Sequence, residues 1–73
     1  AWMTAKLKAA LYADQDIYAP NYVVKTFDKI IYIFGTAPTV AEQQSVLDHA
    51  YEITGVKKVV NLVEVQQRTA PSK

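Results

Sequence analysis

The 73-residue chain contains no cysteine, one histidine, one tryptophan and two glycines. Without cysteine there is neither a disulfide nor a thiolate for metal binding or nucleophilic attack. A single imidazole cannot by itself build a zinc site. Two isolated glycines, Gly35 and Gly55, supply no glycine-rich loop to cradle a phosphate. Charge of one sign is also scarce. Eight basic residues against seven acidic ones leave a formal +1, which gives no electrostatic footprint for a nucleic acid. No apolar run is of bilayer length; the longest strongly apolar one, Ile30 to Phe34, has the length of a strand. The opening, Ala1 to Lys6, has no basic region followed by an apolar stretch, and such a start is expected of a domain cut from a longer chain.

What is present is core material. Half of the residues, 51%, are apolar, rich in Val, Ile, Leu, Ala and Tyr. A chain this short forms one domain and buries only about 60% of its unfolded surface. That core has to supply the stability unaided.

Residues 2–13 read as a helix, with Met3, Leu7, Ala10 and Leu11 on one face. Asp14, Gln15 and Asp16 break the pattern, and Pro20 delays any resumption. Residues 21–27 read as a strand from their β-branched and aromatic content. Asp28-Lys29 follows as a two-residue turn, with Lys29 an unfavourable choice where a tight hairpin wants positive φ. Residues 30–34 form a second strand that Gly35 is expected to end. Its two apolar faces mark it as central, or covered on both sides. Thr39-Val-Ala-Glu42 has the form of a reciprocal capping box, opening a helix over 40–53 with Val46, Ala50 and Ile53 inward. Gly55 stops it. A third strand spans 57–66, with Val59, Asn61, Val63 and Val65 on one face. Residues 67–73 read as a flexible tail after a domain over 2–66.

The order α-β-β-α-β predicts an α+β two-layer sandwich. Two helices pack on one face of a three-stranded mixed sheet, built from a hairpin and a right-handed β-α-β crossover.

Three stretches carry a resemblance: Asp28-Lys29-Ile30-Ile31-Tyr32-Ile33-Phe34-Gly35-Thr36, Gly55-Val56-Lys57-Lys58-Val59-Val60-Asn61, and the first helix from Trp2 to Leu11. In this order and spacing the chain resembles the BON domain family from Trp2 to Val65. It departs at Lys29, where the family usually carries Gly. The resemblance implies a non-catalytic module of the bacterial periplasm that attaches to phospholipid surfaces or to partners. It extends to a domain of the dual-BON outer-membrane lipoproteins, whose lipid-contacting helix begins as Trp2, Met3, Thr4 and Lys6 do here. A periplasmic setting, associated with the outer membrane through other parts of the protein, is therefore expected.

Two surfaces are candidates for function. On the first helix, Trp2 and Lys6 lie one turn apart beside the buried stripe. This pairing can seat an indole at headgroup level while an ammonium meets a lipid phosphate. Lys8 and Tyr12 sit on the opposite flank and complete the expected lipid-binding set. The second candidate is the sheet face turned away from the helices, where Val23, Phe27, Tyr32, Phe34 and Leu62 fall together with Ile30 and Val60. A solvated face alternates to polar residues and this one largely does not, which marks an interface with a sister domain or a second copy. Lys57-Lys58 reads as a solvated pair, able to add to a lipid surface only if it lies near the first helix. His49 reads as an ordinary helix residue. Asn61 reads as a buried amide tying the sheet to a loop. No residues are assigned to catalysis, to a metal or to a cofactor. The partner expected is an anionic phospholipid surface, not a nucleic acid.

Overall fold

The computed structural model describes residues 2–66. The tail assigned to 67–73 lies outside them. Helix α1, Trp2–Ala13, is followed by a single 3-10 turn at Ala19–Asn21. Strands β1, Tyr22–Phe27, and β2, Ile30–Ala37, form the hairpin. Helix α2, Val40–Tyr51, leads to β3, Lys58–Val65. The sheet order is β1-β2-β3, with β1 antiparallel and β3 parallel to the central strand. The expected αββαβ layer arrangement is what forms. The helix α1 packs on β1 and on α2, and α2 packs on β2 and β3.

Period decides what is buried. Met3, Leu7 and Leu11 recur at helical spacing and meet Val24, Ile31, Ile33 and Val63, which alternate along the strands. Leu7, Ile31, Ile33 and Val46 are fully buried. Each such side chain contributes about 1.5–3 kcal/mol of transfer free energy. Val46 and Ala50 of α2 complete the core with Ile53, which is buried just beyond the helix end.

The hairpin turn is as tight as the two-residue spacing implies. Asp28 and Lys29 both take left-handed backbone, with φ 53° and 63°. Lys29 holds that conformation without the relief a glycine provides. Its carbonyl accepts the Lys57 N–H at 2.8 Å, and the Ala37 carbonyl accepts the Gln66 N–H at the same distance. These two bonds bracket the parallel ladder at its ends.

Gly35 does not end β2. The strand runs through it to Ala37, and Gly35 pairs with Tyr22 at φ 138°. A Cβ at this position would lie 2.1 Å from the Asn21 carbonyl oxygen. The glycine is there because the chain leaving the 3-10 turn crosses β2 at backbone contact distance, a close approach rather than a stop.

The N-terminus of α2 forms half of the expected capping box. The Thr39 hydroxyl accepts the Glu42 N–H at 3.0 Å. The Glu42 carboxylate does not return to Thr39. Its Oε2 accepts the Tyr18 N–H at 3.1 Å and the Tyr22 hydroxyl at 2.7 Å. Glu42 thus ties α2 to the segment that leads into β1, where two donors outcompete one amide. Burial first, then the bond to Glu42 and its negative charge, hold the Tyr22 phenol well above the ordinary tyrosine range.

Asn61 is exposed rather than buried, since β3 is an edge strand and the helix layer does not reach it there. Its Oδ1 accepts the Val63 N–H at 3.0 Å, while Gln43 Nε2 donates to the Val63 carbonyl at 3.1 Å. Both backbone groups of Val63 are therefore taken by side-chain amides.

Candidate functional site

The helix α1 uses one face for the core and leaves another apolar face outside. Trp2 is 55% and Tyr12 64% exposed, and Lys6 and Lys8 are exposed as well. At 100° per residue, Lys6 and Lys8 bound an arc of about 160° directly opposite the buried stripe. Within that arc lie Trp2, Ala5, Ala9, Tyr12 and Ala13, all exposed and none polar at its base. Trp2 and Tyr12 stand about 15 Å apart along the axis and only about 80° apart around it. The opposite-flank placement of Tyr12 is thereby refined. Trp2 and Tyr12 share one outward stripe, with one lysine on each side of it.

Ala5 was missing from the sequence-derived site, whereas Ala9 and Ala13 continue the line that Trp2 and Lys6 begin. The signal for Ala5 is the series Trp2, Ala5, Ala9, Tyr12, at helical spacing like the core stripe but on the other side. The two series together explain why α1 is apolar nearly all round, a pattern that ordinarily means burial on all sides.

An open groove of about 640 Å³ runs between the helices beside this stripe. Ala5, Ala9 and Ala10 line it, with Lys6 from α1 and His49 and Glu52 from the other side. His49 is not free to bind a ligand through Nε2. That nitrogen donates to Asp14 Oδ2 at 2.8 Å, joining α2 to the end of α1. Asp14 Oδ1 also accepts the Asp16 N–H at 2.9 Å. The bond from His49, then the one from Asp16, hold the Asp14 carboxyl below the usual carboxylate range. The Thr4 and Thr26 hydroxyls share a bond of 2.7 Å that fixes α1 against β1. These ties lock the orientation of α1 and so the direction in which its outer stripe points.

The second candidate surface is also where parity placed it. The sheet register aligns Val23, Phe34 and Leu62 in one cross-strand row, and Lys25, Tyr32 and Val60 in the next. Phe27, Ile30 and Lys58 form the third. Phe27 is 74% exposed, Val23, Phe34 and Leu62 are exposed, and Ile30, Tyr32 and Val60 are half-buried. Lys58 belongs to this face, away from α1, so it does not join the helix surface. Lys57 lies by the hairpin turn, 3.8 Å from an Asp28 carboxylate oxygen.

Among the described residues no group of three His, Cys, Asp or Glu side chains is placed to hold a metal, and no helix is long and apolar enough to cross a membrane. The family model of the BON domain matches residues 1–67. The chain belongs to the BON domain family. BON domains are generally non-catalytic binding modules, to which a role in phospholipid binding has been ascribed. A similar protein is the "Uncharacterized protein in gshII 5'region" of Anaplasma centrale, 30% identical over 64 residues. That alignment covers 88% of this chain and 42% of the relative, so this BON domain spans less than half of that protein's length.

Proposed function

We propose that this BON domain attaches peripherally to anionic phospholipid through the outward stripe of α1, at a membrane surface of the bacterial periplasm. The observation that carries the reading is a helix with a second apolar face, exposed and bracketed by lysines. Trp2 and Tyr12 are amphipathic rings suited to the headgroup layer. Lys6 and Lys8 lie at the margins, where their stems follow apolar surface and their ammonium groups reach lipid phosphates. Each lysine near an anionic surface contributes about 1 kcal/mol. Two lysines and two rings make weak, reversible binding. Lasting attachment to the outer membrane then calls for a further anchor or a further domain in the full protein.

Sedimentation with liposomes tests this. The domain should pellet with vesicles containing phosphatidylglycerol or cardiolipin, and not with phosphatidylcholine alone. Trp2→Ala and Tyr12→Ala should each release it, while both variants keep the wild-type fold because these side chains lie outside the core. Retention of wild-type binding in a Trp2→Ala/Tyr12→Ala double variant would refute the stripe as the contact.

A second reading is favoured by the exposed apolar rows of the sheet. Val23, Phe27, Tyr32, Phe34 and Leu62 support a protein-contact surface on the side opposite α1. The two surfaces lie on opposite layers and can act together.

A further inference from the structure

The outer face of the sheet has a charge pattern as well as an apolar centre. Along β3, Lys58 stands at one end of the face and Glu64 at the other. The register places Lys58 beside Ile30 and Glu64 beside Thr36. Between these ends lie the two rows that contain Tyr32 with Val60 and Phe34 with Leu62. We propose that this face binds a second copy of the same chain, as a two-fold stack in which Lys58 of each copy meets Glu64 of the other. The proposal rests on the sheet-face reading above and names its partner.

Symmetry selects the geometry. A two-fold axis lying between the sheets, perpendicular to the strands, sets each strand against its own copy running the other way. Val60 then faces Leu62, Tyr32 faces Phe34, and Lys58 faces Glu64 at both ends. An axis along the strands instead lays β3 over β1. That arrangement leaves Glu64 with no cation opposite it. Facing sheets pack about 10 Å apart with strands within about 30° of each other, a gap that interdigitated rings and aliphatics fill. Lysine and glutamate side chains span that distance at the ends. Lys25, which the perpendicular axis sets opposite Val23, lies on edge strand β1, where its ammonium reaches water past the side of the stack.

The charges choose orientation, and the apolar rows supply the attraction. Three strands spaced about 4.8 Å apart and about 20 Å long give a contact smaller than a standard interface, so the pair is weak and concentration-dependent.

Sedimentation equilibrium of the full chain over a wide concentration range, at low salt, decides the matter. Wild type should move from monomer to dimer as concentration rises. Phe34→Ser, at an exposed position, should remain monomeric with an unchanged circular dichroism spectrum. Lys58→Glu and Glu64→Lys should each weaken dimerisation roughly tenfold, as two pairs turn from attraction to repulsion. The Lys58→Glu/Glu64→Lys double variant should restore it. A wild type that stays monomeric throughout overturns the second copy as partner, without touching the sheet face as a contact for other proteins. A dimer lost in Phe34→Ser yet not restored by the double charge exchange overturns the antiparallel stack alone. A dimer that survives Phe34→Ser overturns both the stack and the sheet-face reading.

Discussion

Replacing Gly35 by alanine should cost this domain a large part of its stability, while the same change at Gly55 should cost little. Both glycines have positive φ, 138° and 86°. They differ in what surrounds the missing side chain. At Gly55 the nearest atom to a new Cβ is the terminal methyl of Met3, at 3.5 Å, an ordinary contact with a flexible side chain. Only the backbone preference is lost there, about 1–2 kcal/mol. At Gly35 the new Cβ falls 2.1 Å from a carbonyl oxygen, with two further backbone atoms at 3.1 Å. No rotamer relieves this overlap, so the two chain segments must separate by about 1 Å to restore van der Waals contact. Separation breaks the ladder where Tyr22 pairs with Gly35, at about 0.5–1.5 kcal/mol per hydrogen bond. The glycine-only backbone region adds about 1–3 kcal/mol. The sum is about 2–5 kcal/mol, against roughly 4–11 kcal/mol available to a domain of this length. Thermal unfolding followed by circular dichroism should show Gly35→Ala melting about 15–30 °C below wild type, or unfolded at 25 °C. Melting of Gly35→Ala within about 5 °C of Gly55→Ala would refute the close-approach argument.

Lys29→Gly should stabilise the domain by about 0.5–1 kcal/mol in urea unfolding, because it removes left-handed strain at the second turn residue. Glu42→Ala should destabilise by about 2 kcal/mol through loss of two bonds to an ionised acceptor. In that variant the Tyr22 phenol should titrate at lower pH by ultraviolet absorbance, yet stay above free tyrosine, since burial is the larger cause. The raised Tyr22 value means stability intact below the ordinary tyrosine pKa and lost as pH rises beyond it; melts in alkaline buffer should show this, and Tyr22→Phe should lessen it. The lowered Asp14 value has the opposite sign. Its contribution is present above the ordinary carboxylate pKa and disappears as pH falls through the lowered one, so Asp14→Asn should flatten the acid limb of the stability profile.

The sequence carried the architecture because the two periods are clean. Met3, Leu7 and Leu11 repeat as a helix, while Ile31 and Ile33 alternate as a strand, and each series buries the face that its period predicts. Thr39 was legible as a cap because its partner, the Glu42 amide, is three residues away. The partners of the Glu42 carboxylate were not, since Tyr18 and Tyr22 lie 24 and 20 residues off in sequence. Gly35 was misread for the same reason: the oxygen that forbids a side chain belongs to Asn21, on another strand's approach. Asn61 follows the inward parity of β3, and parity does not say that the helices stop short of an edge. The candidate lipid surface was half legible. Trp2, Lys6, Lys8 and Tyr12 stand out by type and Ala9 follows by spacing, whereas Ala5 became meaningful only once the core stripe had claimed the other side of α1. The charge pairing of Lys58 with Glu64 needed the register and the symmetry of a face, neither of which a linear spacing contains.

The two amides on Val63 bear on how this molecule can grow. An edge strand with free backbone groups invites another strand to add beside it, and each addition exposes a fresh edge, so such growth has no natural end. Here Asn61 accepts the Val63 N–H and Gln43 donates to the Val63 carbonyl, two residues before the end of the last strand. A newcomer at that edge would have to displace both side chains to continue the ladder. Polymerisation through β3 is obstructed toward its C-terminal end, whereas a face-to-face pair consumes its own surface and stops at two. Replacing both amides by alanine would remove that stop and favour fibrils over closed pairs.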